Sequence, residues 1–350
     1  MAFDFGPLKT LIESEDISEI MINSWNKIFV EHRGILVETA AKFVDQRQFE
    51  ELIYAVLSGD GKDINGKYCF DGMIKPLGYR YNITLPPMSP KGPSLTIRKF
   101  LSKNLTLENL VAGDFLSDQA SKFIRAAVIS RLNLVISGGT GSGKTSFLNT
   151  LGSIISHEER VVSIEDVAEL RMNHPNWVSL QAVQTDKKNI SSRDCLINAL
   201  RMRPDRIIVG ECRKDETFEM LQAMNTGHDG SMTTIHGNSP NDCLSRIESL
   251  MQFSGVDLPL KQLRYQMSKA IDLVIQIRRL ANGKREISEI IELTGMDHDV
   301  ISRSVIFERE KTGAMVPTGY VPRVLTKINQ NQSLLASSFF SKPNIQKRTA

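Results

Sequence analysis

The sequence predicts an α/β protein in which a smaller α+β domain precedes the main sheet. A glycine-rich stretch, residues 138–145, sits between a short apolar run and a helical pattern. After it, apolar runs alternate with helical patterns, as in a sheet with crossover helices. Before it, residues 17–38 alternate apolar and polar side chains, the period of half-buried strands.

The glycine-rich stretch is Gly138, Gly139, Thr140, Gly141, Ser142, Gly143, Lys144 and Thr145. It fits G-x-x-x-x-G-K-[ST], the phosphate-binding P-loop. Residues 132–137 (LNLVIS) read as a buried strand. Residues 146–155 carry apolar side chains at 147, 148, 151, 154 and 155, one face of a helix. The loop thus occupies a strand-to-helix turn, where backbone N–H groups and the helix N-terminus favour phosphate. Lys144 is expected to reach the β- and γ-phosphates and Thr145 to hold Mg²⁺. Ser146, at the helix start, completes the expected ATP-binding set.

The elements ahead of the loop follow in order. Ile20 with Ile22, Ile28 with Val30, and Ile35 with Val37 mark three short strands. Phe49, Leu52, Ile53, Val56 and Leu57 mark a helix face that Gly59-Asp60-Gly61 ends. Residues 80–85 and 95–100 read as strands, separated by the stiff loop PPMSPKGP. This gives an α+β domain over residues 1–100, with no convincing catalytic cluster of its own. Residues 101–115 read as a linker and 116–325 as the main α/β domain. Residues 326–350, rich in Asn, Gln, Ser and basic side chains, read as a flexible tail. Within that tail Leu334, Leu335, Phe339 and Phe340 are the residues that could dock.

Three apolar runs after the P-loop end in reactive residues. Residues 161–164 lead into Glu165-Asp166, residues 207–210 into Glu211, and residues 231–235 into His236. Open α/β sheets bind ligands at the carboxyl ends of their strands, so the three ends point to one shared site. Mg²⁺ takes oxygen ligands, and hydrolysis needs a group that orients or deprotonates water. Glu211, after its apolar strand, and Glu165 can fill these roles; spacing leaves open which is the base and which serves the metal. His228 and His236 flank residues 229–235, and their place near the loop suggests phosphate contact.

At 350 residues the chain has room for about two domains. A net charge of +3 gives no compositional case for nucleic acid. The four cysteines, 69, 195, 212 and 243, form no C-x-x-C pair, so neither a disulfide framework nor a metal cluster is expected and a reducing cytosol fits. The N-terminus does not read as a signal peptide, and no run approaches the ~18 apolar residues of a membrane span.

With these residues in place, the sequence resembles the traffic ATPases of type II and type IV secretion and type IV pili. The matching boxes, in order, are GGTGSGKT, VVSIEDVAEL, LRMRPDRIIVGECR and TGHDGSMTTIHGNSP. GHDGSMTTIH and PPMSPKGPSLTIRKF look most like the tight-adherence (Tad) pilus branch. The resemblance covers roughly residues 15–300. It implies a RecA-like P-loop NTPase domain behind an N-terminal domain, and Mg²⁺-dependent ATP hydrolysis at the interface of the two. It implies a homo-oligomer, a hexameric ring, acting in the cytoplasm on an inner-membrane platform protein. By the same resemblance Glu165 is the acidic-box glutamate and Glu211 the Walker B glutamate near Mg²⁺ and water. Arg213 and His236 sense the γ-phosphate, and Arg98 and Arg80 reach ATP from the N-terminal domain, in some members across subunits.

The chain departs from the pattern at two places. Lys214 stands where the family usually has Asp, and Met73 where close members have Arg, which weakens the N-terminal contribution to the site. Two rival readings remain: a nucleic-acid motor, which needs a basic, aromatic-bearing channel, and a regulator that binds ATP with little turnover.

Overall fold

The computed structural model describes residues 4–75, 77–99, 105–184, 189–332 and 335–342. Pro76, Phe100, linker residues 101–104, Leu334 and tail residues 343–350 lie outside the described residues. The chain divides into two compact units, residues 1–103 with 281–284, and residues 104–280 with 285–350.

The first unit opens with α1 (Lys9–Glu13) and the strands β1 (Ile17–Ser24), β2 (Lys27–His32) and β3 (Ile35–Glu38). Helix α2 (Gln46–Gly59) and strands β4 (Cys69–Ile74), β5 (Tyr79–Thr84) and β6 (Ser94–Arg98) follow. The strands form an antiparallel sheet ordered β3-β2-β1-β6-β5-β4. Alternation sends Ile20, Ile22, Ile28, Ile83, Leu95 and Ile97 to one face, where Phe49, Ile53, Val56 and Leu57 of α2 cover them. Asp45 caps α2 by accepting from the Gln48 backbone N–H. The sequence missed β4, whose run CFDGMI carries a mid-strand glycine and an aspartate.

The second unit begins with α3 (Leu107–Ala112) and α4 (Asp118–Ile129). Part of the predicted linker is therefore helix. Thr106 and Asn109 cap it reciprocally, a box that needs only one turn of sequence. Then come β7 (Leu134–Gly138), α5 (Lys144–Gly152), β8 (Val161–Glu165), β9 (Trp177–Gln181) and the short pair β10 (Val183–Gln184) and β11 (Asn189–Ile190). Next are α6 (Ser192–Ala199), β12 (Arg206–Val209), α7 (Glu216–Asn225), β13 (Met232–His236), α8 (Pro240–Phe253) and α9 (Leu260–Ala270). Strands β14 (Leu273–Arg279), β15 (Arg285–Asp297), β16 (Val300–Arg309) and β17 (Met315–Pro317) complete the sheet, and α10 (Leu325–Gln332) closes the unit. The sheet runs β17-β16-β15-β14-β7-β13-β12-β8-β9. Strands β14, β7, β13, β12, β8 and β9 are parallel, and β15 to β17 extend it antiparallel.

Successive residues of the parallel strands face opposite layers. Leu134 and Ile136 pack with Phe147, Leu148 and Leu151 of α5, whereas Val135 packs with Leu221, Ile247 and Met267 of the helices on the other side. Near-continuous apolar strands are what a sheet covered on both faces requires.

Two features depart from the sequence reading. In the predicted tail, residues 326–332 belong to α10 and residues 337–340 form a 3₁₀ turn, so these parts are not a free segment. Phe340 is fully buried beside Phe123 and Phe307, ring centroids 5.6 and 6.2 Å away. Glu292, also buried, accepts from the Tyr320 hydroxyl at 2.8 Å and from the backbone N–H groups of Arg323 and Val324. Phe340 is one of the four residues expected to dock; the Glu292 anchor had no local signal.

The second feature is a buried ion pair. Arg206, fully buried at the start of β12, gives Glu159 a two-pronged contact with both bonds at 2.8 Å. Its remaining Nη1 donates to the Val128 carbonyl, and Arg131 reaches Glu159 at 3.0 Å. Burial opposes the charge on Glu159, but the arginines outweigh it and hold its carboxyl below the ordinary range. Glu159→Ala is expected to destabilise the unit by about 3–5 kcal/mol, because it strands a buried guanidinium. A denaturant midpoint unchanged from wild type would contradict this.

Candidate functional site

The parallel register brings the predicted strand ends to one edge. Gly138, at the end of β7, pairs with His236 at the end of β13. Val209 pairs with Thr233 on one side and Ile164 on the other, so Glu211 and Glu165 leave their strands at the same level. Thr234 Oγ1 donates to the Gly210 carbonyl at 2.8 Å, and the Cys212 N–H donates to the Thr234 carbonyl, fixing the turn that carries Glu211 to β13.

The P-loop rises from β7 and ends as the first turn of α5. A Cβ on Gly138 would lie 2.4 Å from Ser142 Oγ and 2.8 Å from the Ile277 carbonyl, so only glycine fits. Gly143 precedes the helix at φ +97°, in the left-handed region. Lys144 Nζ donates to the carbonyls of Gly138 and Gly139, at 2.9 and 3.1 Å, which holds the ammonium over the loop. Thr145 and Ser146 occupy the helix's first turn.

Glu165 is 4% exposed. Its Oε1 accepts from the backbone N–H groups of Glu169 and Leu170, both at 2.9 Å. Burial pushes its carboxyl above the ordinary range, against those two donors. Among the described residues, its Oε2 and the Ser142 Oγ are buried without a hydrogen-bond partner. Buried polar atoms in folded proteins are normally satisfied, so such orphans at a P-loop fit a site built for a polar ligand.

Glu211 is held by Arg213, whose Nε donates to Oε2 at 2.7 Å and whose Nη2 reaches the same oxygen. Arg213 Nη1 also lies 4.0 Å from Asp166, beside Glu165 in the chain. The arginine thus bridges the two acidic turns. The unusual Lys214 gives its backbone N–H to Glu216, the buried acid at the start of α7, at 2.9 Å. That contact uses no side chain of residue 214, so the local turn survives the change.

His228 is not brought to this edge. It precedes β13 while His236 ends it, so the strand separates them. The His228 carbonyl accepts from Ser231 Oγ at 2.7 Å, and Asn133, just before β7, accepts from the Gly230 and Ser231 N–H groups. Two histidines flanking one short strand must lie at opposite ends of the sheet.

Arg80 and Arg98 belong to the first unit. They face each other across β5 and β6, and Arg98 Nε lies 3.6 Å from Glu19, its partner on β1. Met73 faces Arg80 from β4, so the position that departs from the resemblance lies in the same cross-strand row.

The sequence reading missed two arginines at the P-loop itself. Arg279 ends β14, and Arg285, its register partner, begins β15. Arg285 Nε donates to the Gly141 carbonyl at 2.8 Å. Neither lies in any of the four boxes that carry the resemblance.

A strand lies between the P-loop strand and the one that leads to Glu211, and all three end at one edge. With Glu165 on the next strand, fold and site define a P-loop ATPase with a RecA-like core. The chain belongs to the type II/IV secretion system protein family, which matches residues 73–316. The conjugal transfer protein TrbB of Rhizobium radiobacter is 34% identical, over 81% of this chain and 86% of its own. The putative conjugal transfer protein Rv3659c of Mycobacterium tuberculosis is 30% identical, over 82% of this chain and 84% of its own. Among solved structures, the Legionella pneumophila ATPase DotB shares the fold at a TM-score of 0.56 and 22% identity, over 83% and 82% of the two chains. Among the described residues, no helix is long and apolar enough to cross a membrane.

Proposed function

We propose that this chain hydrolyses ATP with Mg²⁺ and couples the cycle to work on a secretion or pilus system, as a ring of identical subunits. The observation that carries this is the single sheet edge holding the P-loop, Glu165, Glu211 and His236. The P-loop N–H groups and Lys144 bind the phosphates. Thr145 and Glu211 would hold Mg²⁺, which neutralises phosphate charge when bound. Glu165, with its carboxyl raised by burial, takes the proton of the attacking water. Arg213 and His236 face the γ-phosphate, so an incoming nucleotide competes with Glu211 for the Arg213 guanidinium. Arg98 and Arg80 complete the site from the N-terminal unit of the same or a neighbouring subunit. The inner-membrane platform is the partner that receives the motion, and the ATPase itself stays on the cytoplasmic side.

We favour the Tad pilus branch, on GHDGSMTTIH and PPMSPKGPSLTIRKF. Conjugal transfer is the second reading, favoured by the names of the two relatives. The decisive experiment measures phosphate release per subunit across a range of protein concentrations. Specific activity that climbs as subunits associate is the expected result. No release with MgATP at any concentration would reject the hydrolytic reading in favour of a nucleotide-dependent regulator.

A further inference from the structure

The face that carries Arg279 and Arg285 is set by alternation. On β14, Ile275 and Ile277 belong to the layer packed with Phe147 and Leu148 of α5, and Ile287 of β15 joins them. Ile277 and Ile287 are register partners, and so are Arg279 and Arg285 one step along that face. The apolar step covers the helix; the next step meets the helix N-terminus, where the P-loop lies. Two observations locate the guanidinium groups there. Arg285 Nε donates to the Gly141 carbonyl at 2.8 Å, and a Cβ on Gly143 would lie 3.4 Å from Arg285 Cδ. A Cβ on Gly141 would lie 2.9 Å from Arg279 Nη1.

The opposite face of the same hairpin is built differently. Arg278 and Glu286, also register partners, pair at 2.7 Å, and Arg309 approaches Glu286 at 3.5 Å. That cluster gives the strand ends a rigid base, with Glu286 and the Arg309 side chain buried.

We propose that Arg279 and Arg285 are resident parts of the nucleotide site, supplied by the same domain as the P-loop. Arg285 is a positioning residue: it fixes the loop through the Gly141 carbonyl, so that the loop's N–H groups converge before phosphate arrives. Arg279 lends positive charge to the phosphate chain from beside Gly141. The pair acts on nucleotide affinity in every subunit, whether or not a neighbour is present. This rests on reading the site as a nucleotide site.

The test uses the full chain and MgADP as probe, with ATP kinetics beside it. Arg279→Gln is expected to weaken MgADP about tenfold at low salt, with the gap narrowing at high salt as screening removes its charge effect. Arg279→Lys keeps the charge and should restore most of the affinity. Arg285→Lys keeps charge but cannot reproduce the planar Nε donor. It should raise KM for ATP about tenfold, with a smaller fall in kcat, if pre-organisation of the loop is what is lost. Thermal unfolding of each variant checks that the fold persists, and the lysine variants keep the comparison open if a neutral one unfolds. Variants that fold and bind MgADP within twofold of wild type would overturn the proposal while the nucleotide reading stands. Wild-type protein that binds no nucleotide would overturn both.

Discussion

Lys144→Ala is expected to lower turnover by at least about 10²-fold while the chain stays folded. The lysine is held over the P-loop by the carbonyls of Gly138 and Gly139, at 2.9 and 3.1 Å. Its ammonium is the closest side-chain cation the loop itself provides for the phosphates. Alanine removes that charge and two loop hydrogen bonds, a stability cost of about 1–3 kcal/mol against a far larger kinetic one. Paired measurements separate the effects: phosphate release under saturating ATP, and the thermal midpoint. Near-normal release by a folded variant would mean that the P-loop does not serve hydrolysis.

Glu165→Gln is expected to cost about 10²–10⁴-fold in turnover if Glu165 deprotonates the attacking water. The same burial gives the residue a pH signature. Its carboxyl is raised in the fold by desolvation, so it is the charged form that the fold disfavours. Stability from this group is full below its unfolded pKa and is lost as pH rises through the higher folded value. Glutamine carries no charge, so the variant should gain thermal stability relative to wild type at neutral pH and lose that advantage in acid. Wild-type activity should rise with pH along a limb placed above the ordinary carboxylate range. A limb at that ordinary position, together with an unaltered rate in Glu165→Gln, would transfer the base role to Glu211.

The strand ends were legible because buried parallel strands must be apolar throughout, which makes the first acid or histidine after each run conspicuous. Glu165, Glu211 and His236 stand out in this way, and the register sets the strand ends that carry them at one edge beside Gly138. His228 was misread by the same logic, since nearness in sequence does not say which end of a strand a residue occupies. The pairing of Glu159 with Arg206 spans 47 residues and has no local pattern. Arg279 and Arg285 fall in no motif and are not singled out. Their role depends on which neighbour β14 takes in the sheet, and that neighbour is the P-loop strand.

Glu292 also bears on how this protein is made. Its carboxylate is buried and held by Tyr320, Arg323 and Val324, while Phe123 and Phe307 wait for Phe340. Synthesis runs from the N-terminus, so the P-loop, Glu165, Glu211 and most of the sheet emerge before those partners exist. Until then Glu292 lacks its three donors and the Phe123–Phe307 pair lacks its cover. A chain ending before residue 320 lacks all of these contacts. Tyr320, Arg323, Val324 and Phe340 therefore complete the core of this unit only after the chain that carries its sheet has been made.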